Sequence, residues 1–180
     1  DHRDLHSFPT RRSSDLFGVF DLIKKDNLMK DKRFSKLGVE PLTKNFNVSY
    51  FLEKSKNKKI NVKQFIMDQQ IVVGVGNIYA SEALFATQIS PLRCVQDLKK
   101  TEIEQLIYNI QKILKKSLSR GGSSISDYSG VDQSKGSYQN NHKVYGKKGQ
   151  PCPKCSHPIF MQVISGRSEE RRVGKECRSR

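Results

Sequence analysis

This chain of 180 residues has few acidic side chains and no long apolar run. No stretch approaches the roughly eighteen consecutive apolar residues that a membrane-spanning helix needs, so the sequence predicts no membrane span. Only 18 Asp and Glu oppose 33 Lys and Arg, which gives a formal net charge of +15. Such an imbalance favours a polyanionic partner, although a basic surface also serves solubility alone.

Cysteine is also scarce, with four residues, of which Cys177 lies in the C-terminal tail. The other three make no disulfide framework, and no secretory signal precedes Phe17, so we expect a reducing cytoplasm. Cys152 and Cys155 have the spacing of a zinc knuckle, in which one turn brings two thiolates to one ion. A redox pair would need a thioredoxin-like βαβ setting, which is not predicted here. His157 follows Cys155 too closely to join a four-ligand site without crowding it.

The most informative segment is the run from Gly74 to Phe85, which reads GVGNIYASEALF. A glycine turn followed at once by a helix start presents free N–H groups and a positive dipole end, which suit a phosphate. Asn77 is expected either to cap this helix or to donate its amide to a phosphate oxygen. The plainer alternative is that two glycines and a capping Asn simply join two helices. A dinucleotide site is disfavoured because the third glycine is missing and the preceding segment is predicted as helix, not strand.

Apolar spacing predicts mainly helices. The strongest helix follows a capping box, Thr101-x-x-Glu104, repeats apolar residues at three and four positions, and stops at Gly121-Gly122. Three lysines lie off its apolar stripe, Lys112, Lys115 and Lys116. We interpret them as a solvated face, with a DNA contact as the alternative. The other predicted elements are a strand at 17–23, helices at 28–37, 46–54, 61–74 (capped by Asn61) and from 77 onward, and short strands at 144–145 and 159–164.

Four blocks of sequence, in one order, closely resemble the C-terminal half of bacterial formamidopyrimidine-DNA glycosylases. They are Leu37–Leu42, Asp68–Phe85, Gly121–Ser124 with Asp127-Tyr128, and Val144–Cys155. The resemblance covers nearly all of residues 17–166 and implies a mainly α fold. The implied parts are the end of an N-terminal β domain with its connection (17–40), a helix-two-turn-helix DNA-binding domain (41–122), a lesion-recognition loop (123–143) and an incomplete zinc hairpin (144–166).

The same resemblance implies particular site residues. Gly76 and Asn77 would contact a DNA phosphate, as would Arg167 on the zinc hairpin. Ser123, Ser124 and Tyr128 would belong to the loop that closes over the everted base. Cys152 and Cys155 would be half of a four-cysteine zinc site, whose second pair is expected near Arg172 and Lys175 and is absent there.

The two ends of the chain have a different character. One coding of residues 167–180 has a reverse complement that encodes Arg3 to Leu16 in another frame. Such an inverted repeat resembles a translated sequencing-library adapter, so we interpret 1–16 and 167–180 as adapter-derived, with Arg167 at the junction. Residues 1–16 are neutral and 167–180 carry +3, which leaves +12 for the 150 residues between them.

The family's activity is implied in the same way. These enzymes repair oxidised purines by base excision, acting as glycosylase and AP lyase on formamidopyrimidine and 8-oxoguanine lesions. An N-terminal proline amine attacks the sugar with the help of a following glutamate. Neither residue begins this sequence, so we expect an inactive fragment. We expect a monomer in the bacterial cytoplasm, associated with the nucleoid, that binds double-stranded DNA with oxidised or abasic sites. Zinc is the implied cofactor, but with only half of its site present we expect this chain to bind zinc weakly.

Three interpretations remain at this stage. The chain is either part of such an enzyme or a non-catalytic DNA-binding module. A third reading is the sibling glycosylase for oxidised pyrimidines, but the GVGNIYA run and the GGSS loop resemble the formamidopyrimidine branch more closely.

Overall fold

The computed structural model describes residues 34–123, 136–164 and 167–171, together with Lys24 and Asp31. The chain divides into two units, Asp1–Ser35 and Lys36–Arg180, and nearly all described residues belong to the second. The described part of this second unit contains four helices, α1 (Val48–Ser55), α2 (Val62–Met67), α3 (Asn77–Thr87) and α4 (Lys100–Leu118). It also contains the 3₁₀ turns Val95–Asp97 and Tyr138–Asn141 and two strands, β1 (Phe160–Ile164) and β2 (Arg167–Arg171). None of the helices described here has the length and apolarity to cross a bilayer.

Helices α3 and α4 pack against each other and form the centre of the core, which confirms the mainly α prediction. Helix α3 is buried on most of its surface, whereas α4 is amphipathic. The buried apolar residues of α4 are Ile103, Leu106, Ile107, Ile110 and Leu114. Each such side chain contributes about 1.5–3 kcal/mol when fully buried. Leu118, predicted to continue the stripe, is 68% exposed, whereas the preceding Ser117 is buried and faces the interior in the last turn of α4.

The helix caps follow the predictions in part. Asn61 caps α2 as expected, because its side-chain oxygen accepts a hydrogen bond from the Gln64 N–H at 2.8 Å. The Thr101–Glu104 capping box is wrong, since α4 begins at Lys100. Instead, a Glu102 carboxylate oxygen accepts the Lys99 N–H at 2.9 Å, and the other contacts the Arg93 guanidinium at 2.6 Å.

Helix α2 is shorter than predicted. It ends at Met67, and the chain then turns, so that Val72 forms a parallel bridge with Val39. The Val73 N–H donates to the Val39 carbonyl, and the Tyr50 hydroxyl donates to the Ile71 carbonyl at 2.8 Å. These tertiary bonds replace the helical bonds that the sequence pattern had suggested.

The remaining expectations divide three ways. The strand predicted at 17–23 lies outside the described residues, as does most of the helix predicted at 28–37, whose described part, 34–36, is a turn. The strand at 159–164 is confirmed as β1. It pairs antiparallel with β2, with Ile164 opposite Arg167. The strand predicted at 144–145 is wrong, because these residues form a bend and turn fastened by a side chain of α3.

Candidate nucleic-acid interface

The turn before α3 leaves the helix N-terminus open. Gly74 has φ +74°, which favours glycine, and its N–H donates to the Gln69 side chain at 3.1 Å. Gly76 occupies the N-cap position, and no side chain caps the helix there. A Cβ placed on either glycine meets nothing within 4 Å. Neither a capping side chain nor a Cβ at these two glycines therefore shields the N-terminus of α3, the kind of helix end that suits a phosphate.

Asn77 is not the helix cap, contrary to one of the two roles expected for it. It is the first residue of α3, where its side chain is half-buried and its Oδ1 is shielded from solvent. Gly76 is the N-cap residue because its backbone is extended, whereas the backbone of Asn77 is already helical. An Asn at the first helical position keeps its amide group beside the helix N-terminus.

A buried lysine of α2 contacts α3 one turn after Asn77, and the sequence did not predict it. Lys63 of α2 is 2% exposed, and its ammonium donates to the Ser81 hydroxyl of α3 at 2.8 Å. A cation near a helix N-terminus adds to the positive potential there. No local pattern marks Lys63, because its partner lies 18 residues away on another helix.

Glu82 fastens the C-terminal segment to α3. Its carboxylate accepts the backbone N–H groups of Lys143, Val144 and Tyr145, each at 2.9 Å, and the residue is 4% exposed. Charge-assisted bonds of this kind are among the stronger hydrogen bonds in proteins. Sequence analysis gave Glu82 no role, although an acid in a helix buried on nearly every side must have fixed partners.

The two ends of segment 124–135 are joined by a stem. Ser123 forms an antiparallel bridge with Ser137, and its Oγ lies 3.0 Å from Nε2 of the buried His142. The His142 ring contacts the rings of Tyr138 and Tyr145 edge-on, each at 5.7 Å between centroids. Burial lowers the pKa of His142 below its ordinary value, opposed by the nearby Glu82 carboxylate and reinforced by Lys147.

The stem also relies on a glycine. A Cβ on Gly136 would collide with the carbonyl oxygens of Gly121 and Gly122, so these backbones touch at the stem. Of the three residues predicted for the lesion loop, the structure positions Ser123, whereas Ser124 and Tyr128 lie outside the described residues.

Cys152 and Cys155 lie on one tight turn. The Cys152 N–H donates to the His157 carbonyl and the Ser156 N–H to the Cys152 carbonyl, both at 2.8 Å. The Lys154 N–H points at the Cys152 sulfur, 3.5 Å away. An N–H directed at a sulfur is suited to a thiolate, because it stabilises the negative charge. This turn, residues 152–155, is called the knuckle below.

The knuckle supplies two metal ligands at most. His157 is exposed, and its Nδ1 lies 2.9 Å from the Cys155 carbonyl oxygen. In the part of the chain that the structure describes, no group of three or more His, Cys, Asp or Glu is placed to hold a metal ion. The residues present therefore fit half of a four-ligand zinc site.

Arg167, the third predicted phosphate contact, is the first residue of β2 and pairs with Ile164, the last residue of β1.

Comparison with known proteins gives one consistent result. The family model of the formamidopyrimidine-DNA glycosylase H2TH domain matches residues 37–129. A formamidopyrimidine-DNA glycosylase from Aliivibrio fischeri (strain MJ11) is 49% identical over 134 residues, 74% of this chain and 49% of the relative. One from Zymomonas mobilis is 40% identical over 152 residues, 84% of this chain and 56% of the relative. The chain thus spans about half the length of the curated relatives it matches.

Solved structures agree. The MutM (Fpg) protein of Thermus thermophilus superposes with a TM-score of 0.74 at 36% identity, covering 80% of this chain and 54% of that one. The Lactococcus lactis Fpg in complex with abasic-site DNA superposes with a TM-score of 0.75 at 34% identity, covering 82% of this chain and 54% of that one.

Proposed function

We propose that this chain is the DNA-binding part of a base-excision-repair enzyme for oxidised purines, because it belongs to the family of the formamidopyrimidine-DNA glycosylase H2TH domain. The observation that carries the proposal is the N-terminus of α3, which has no side-chain cap because Gly76 occupies the N-cap position. The complete enzyme would act as a glycosylase and AP lyase on formamidopyrimidine and 8-oxoguanine lesions. The helix-two-turn-helix domain would span 41–122, within the 37–129 that the family model matches.

The proposed partner is double-stranded DNA with an oxidised or abasic site. The backbone N–H of Asn77 would bind a phosphate oxygen at the α3 N-terminus, assisted by the Asn77 amide and the charge of Lys63. Arg167 would hold a phosphate from the β1–β2 hairpin. The net charge of +15 attracts DNA without regard to sequence. The Lactococcus lactis relative was solved with abasic-site DNA, which supports this class of partner.

Segment 123–143 would be the lesion loop, with Ser123, Ser124 and Tyr128 facing the everted base. The Ser123 hydroxyl is already engaged by His142, so its backbone is the better candidate for a contact with the base. Ser123 would then set the position of the loop, and residues farther along it would read the lesion.

Zinc would serve as a structural ion. The thiolates of Cys152 and Cys155 would supply two of its four ligands. Bound zinc would fix the knuckle, which precedes the β1–β2 hairpin that carries Arg167. We assign no catalytic residue within this chain, since the chemistry that the family resemblance implies belongs to an N-terminal proline and glutamate. We also propose a monomer that acts in the bacterial cytoplasm at the nucleoid.

The test is DNA binding by the chain and by a matched pair of variants. Fluorescence anisotropy with a short duplex that carries an abasic-site analogue should show affinity that falls steeply as salt rises. Asn77→Asp places a carboxylate at the phosphate position and should weaken binding about tenfold or more, which is about 1.4 kcal/mol. Asn45→Asp makes the same change at an exposed residue before α1 and should have little effect.

Either of two results would count against the proposal. Salt-independent binding would show that phosphate contacts do not contribute to the affinity. Equal losses of affinity in the two variants would show that only the overall charge matters. Asn77→Asp should also weaken binding to undamaged duplexes of any sequence alike, because a phosphate contact positions the DNA and does not read its bases. A non-catalytic DNA-binding module would bind in the same way, so cleavage by the complete protein distinguishes the two.

A further inference from the structure

A cleft of about 390 Å³ lies between the C-terminal half of α3, one face of α4 and the knuckle. This volume falls within the range of small-molecule sites and is too small for a folded partner. Phe85 of α3, which lines the cleft, follows Asn77 by eight residues, so about 12 Å of helix separates this site from the proposed phosphate contact.

Four lysines from three chain segments line the cleft, and the ammonium group of one of them, Lys112, lies over the Tyr108 ring, 5.5 Å from its centroid. Lys112 and Lys116 lie one turn apart on α4, Lys143 precedes the knuckle, and Lys154 lies within it. All four are exposed, and among the described residues none of them forms a salt bridge. The single acid in the lining is Glu82, whose carboxylate is occupied by three backbone N–H groups. The cleft therefore has a concentrated positive charge.

The floor of the cleft is apolar, built in part from Phe85, Ile113 and Pro153. The Lys154 ammonium lies 5.3 Å from the centroid of the Phe85 ring, which shows that a cation is already held against this floor. A ligand that matches both features has several negative charges and a flat, weakly polar body. A DNA backbone matches less well, because its phosphates form a long line, whereas these lysines surround one small cavity.

We propose that this lysine cleft binds a free nucleoside phosphate, with its phosphates between Lys112 and Lys116 and its base against Ile113 and Pro153. This site is separate from the DNA contact proposed above and does not depend on it. The contacts are those that phosphates and bases ordinarily receive, namely charge-assisted hydrogen bonds and packing against an apolar surface.

The test is calorimetric titration of the full chain with ADP at low ionic strength. We expect saturable binding of one ADP per chain. Lys116→Ala should weaken it about tenfold, as expected for the loss of one charge-assisted hydrogen bond. Lys115→Ala is the matched control, because Lys115 is the exposed neighbour on the same helix and does not line the cleft. The control should change the affinity less than about twofold, the usual size of an effect from a screened surface charge.

Four outcomes would overturn the proposal. They are an absence of ADP binding, equal losses in Lys115→Ala and Lys116→Ala, inorganic diphosphate binding as tightly as ADP, and displacement of ADP by a short duplex. Equal losses in the two variants would indicate general attraction of polyanions. Tight binding of diphosphate would show that the apolar floor makes no contact with a base, and displacement by a duplex would indicate that DNA occupies the cleft. Failure here leaves the DNA proposal intact, because Asn77→Asp should not change ADP binding and Lys116→Ala should not change duplex affinity.

Discussion

The helical core and the C-terminal segment 136–164 are stabilised in different ways. Among the described residues, nineteen buried apolar side chains form the core, including those of α3 and α4. Within it the rings of Phe51 and Phe65 meet edge-on, with their centroids 4.8 Å apart. The C-terminal segment contributes to a cluster of four buried residues, in which Val144, Cys152 and Ile159 pack around Phe85 of α3. Apolar burial is enough for the first region, whereas the second also depends on hydrogen bonds to Glu82 and, by our proposal, on zinc.

The largest difference is expected from equivalent truncations in the two regions. Ile110→Ala in α4 should lower the free energy of global unfolding by about 2–5 kcal/mol, because it leaves a cavity in the main core. Ile159→Ala removes the same atoms from an equally buried side chain in the small cluster. It should release mainly segment 136–164 and leave core helices protected. Hydrogen exchange measured amide by amide tests this. Equal loss of protection in both regions would show that they unfold as one unit.

Glu82→Gln should have the next largest effect. The neutral amide loses the charge-assisted bonds to the N–H groups of 143–145 and directs its own NH₂ at one of them, at a cost of about 1.5–3 kcal/mol. Exchange of the Lys143, Val144 and Tyr145 amides should accelerate, with little change in the core. Glu104→Gln on the exposed side of α4 is the control. Unchanged exchange at 143–145 would mean that apolar packing alone holds the segment.

Gly136→Ala tests the entry to the C-terminal segment. The added methyl group would collide with the carbonyl oxygens of Gly121 and Gly122, so we expect a loss of about 1–3 kcal/mol from overpacking. Gly146→Ala is the comparison, because Gly146 has φ +72° but open space around its Cβ, and only backbone strain of about 1–2 kcal/mol applies. Thermal denaturation of both variants shows which substitution lowers the stability more. A larger loss at Gly146 would contradict the close contact at the stem.

The smallest effect concerns pH. Because burial lowers the pKa of His142 in the folded state, the unfolded chain takes up a proton first as the pH falls. His142 therefore favours folding above its ordinary pKa of about 6.5, and this contribution is lost as the pH falls below that value. Urea denaturation between about pH 7.5 and 5 should show the decrease. His142→Gln should flatten it, whereas His157→Gln, at an exposed site, should not. If the free energy of unfolding of the wild type and of both variants depended on pH in the same way, His142 would not be the source of the decrease.

Much of the helical framework follows from local pattern. The Asn61 cap, the apolar face of α2 at Val62, Phe65 and Ile66, and most of the stripe of α4 were predictable, because each depends on residues within two helical turns. The start of α3 at residue 77 was also predictable from the glycine turn. The site was harder. Lys63 and Glu82 have partners 18 and at least 61 residues away, and no local pattern identifies them.

The sequence by itself determined the family resemblance, the amphipathic helices, the glycine turn and the paired cysteines, because these are properties of short segments and of their order. Tertiary structure decided where α2 ends, that Gly76 rather than Asn77 caps α3, and which backbone groups Glu82 binds. It also decided that four lysines surround one cleft. The physical reason is the same throughout. Buried polar groups must find partners, and the available partners are known only when distant segments of the chain have been brought together.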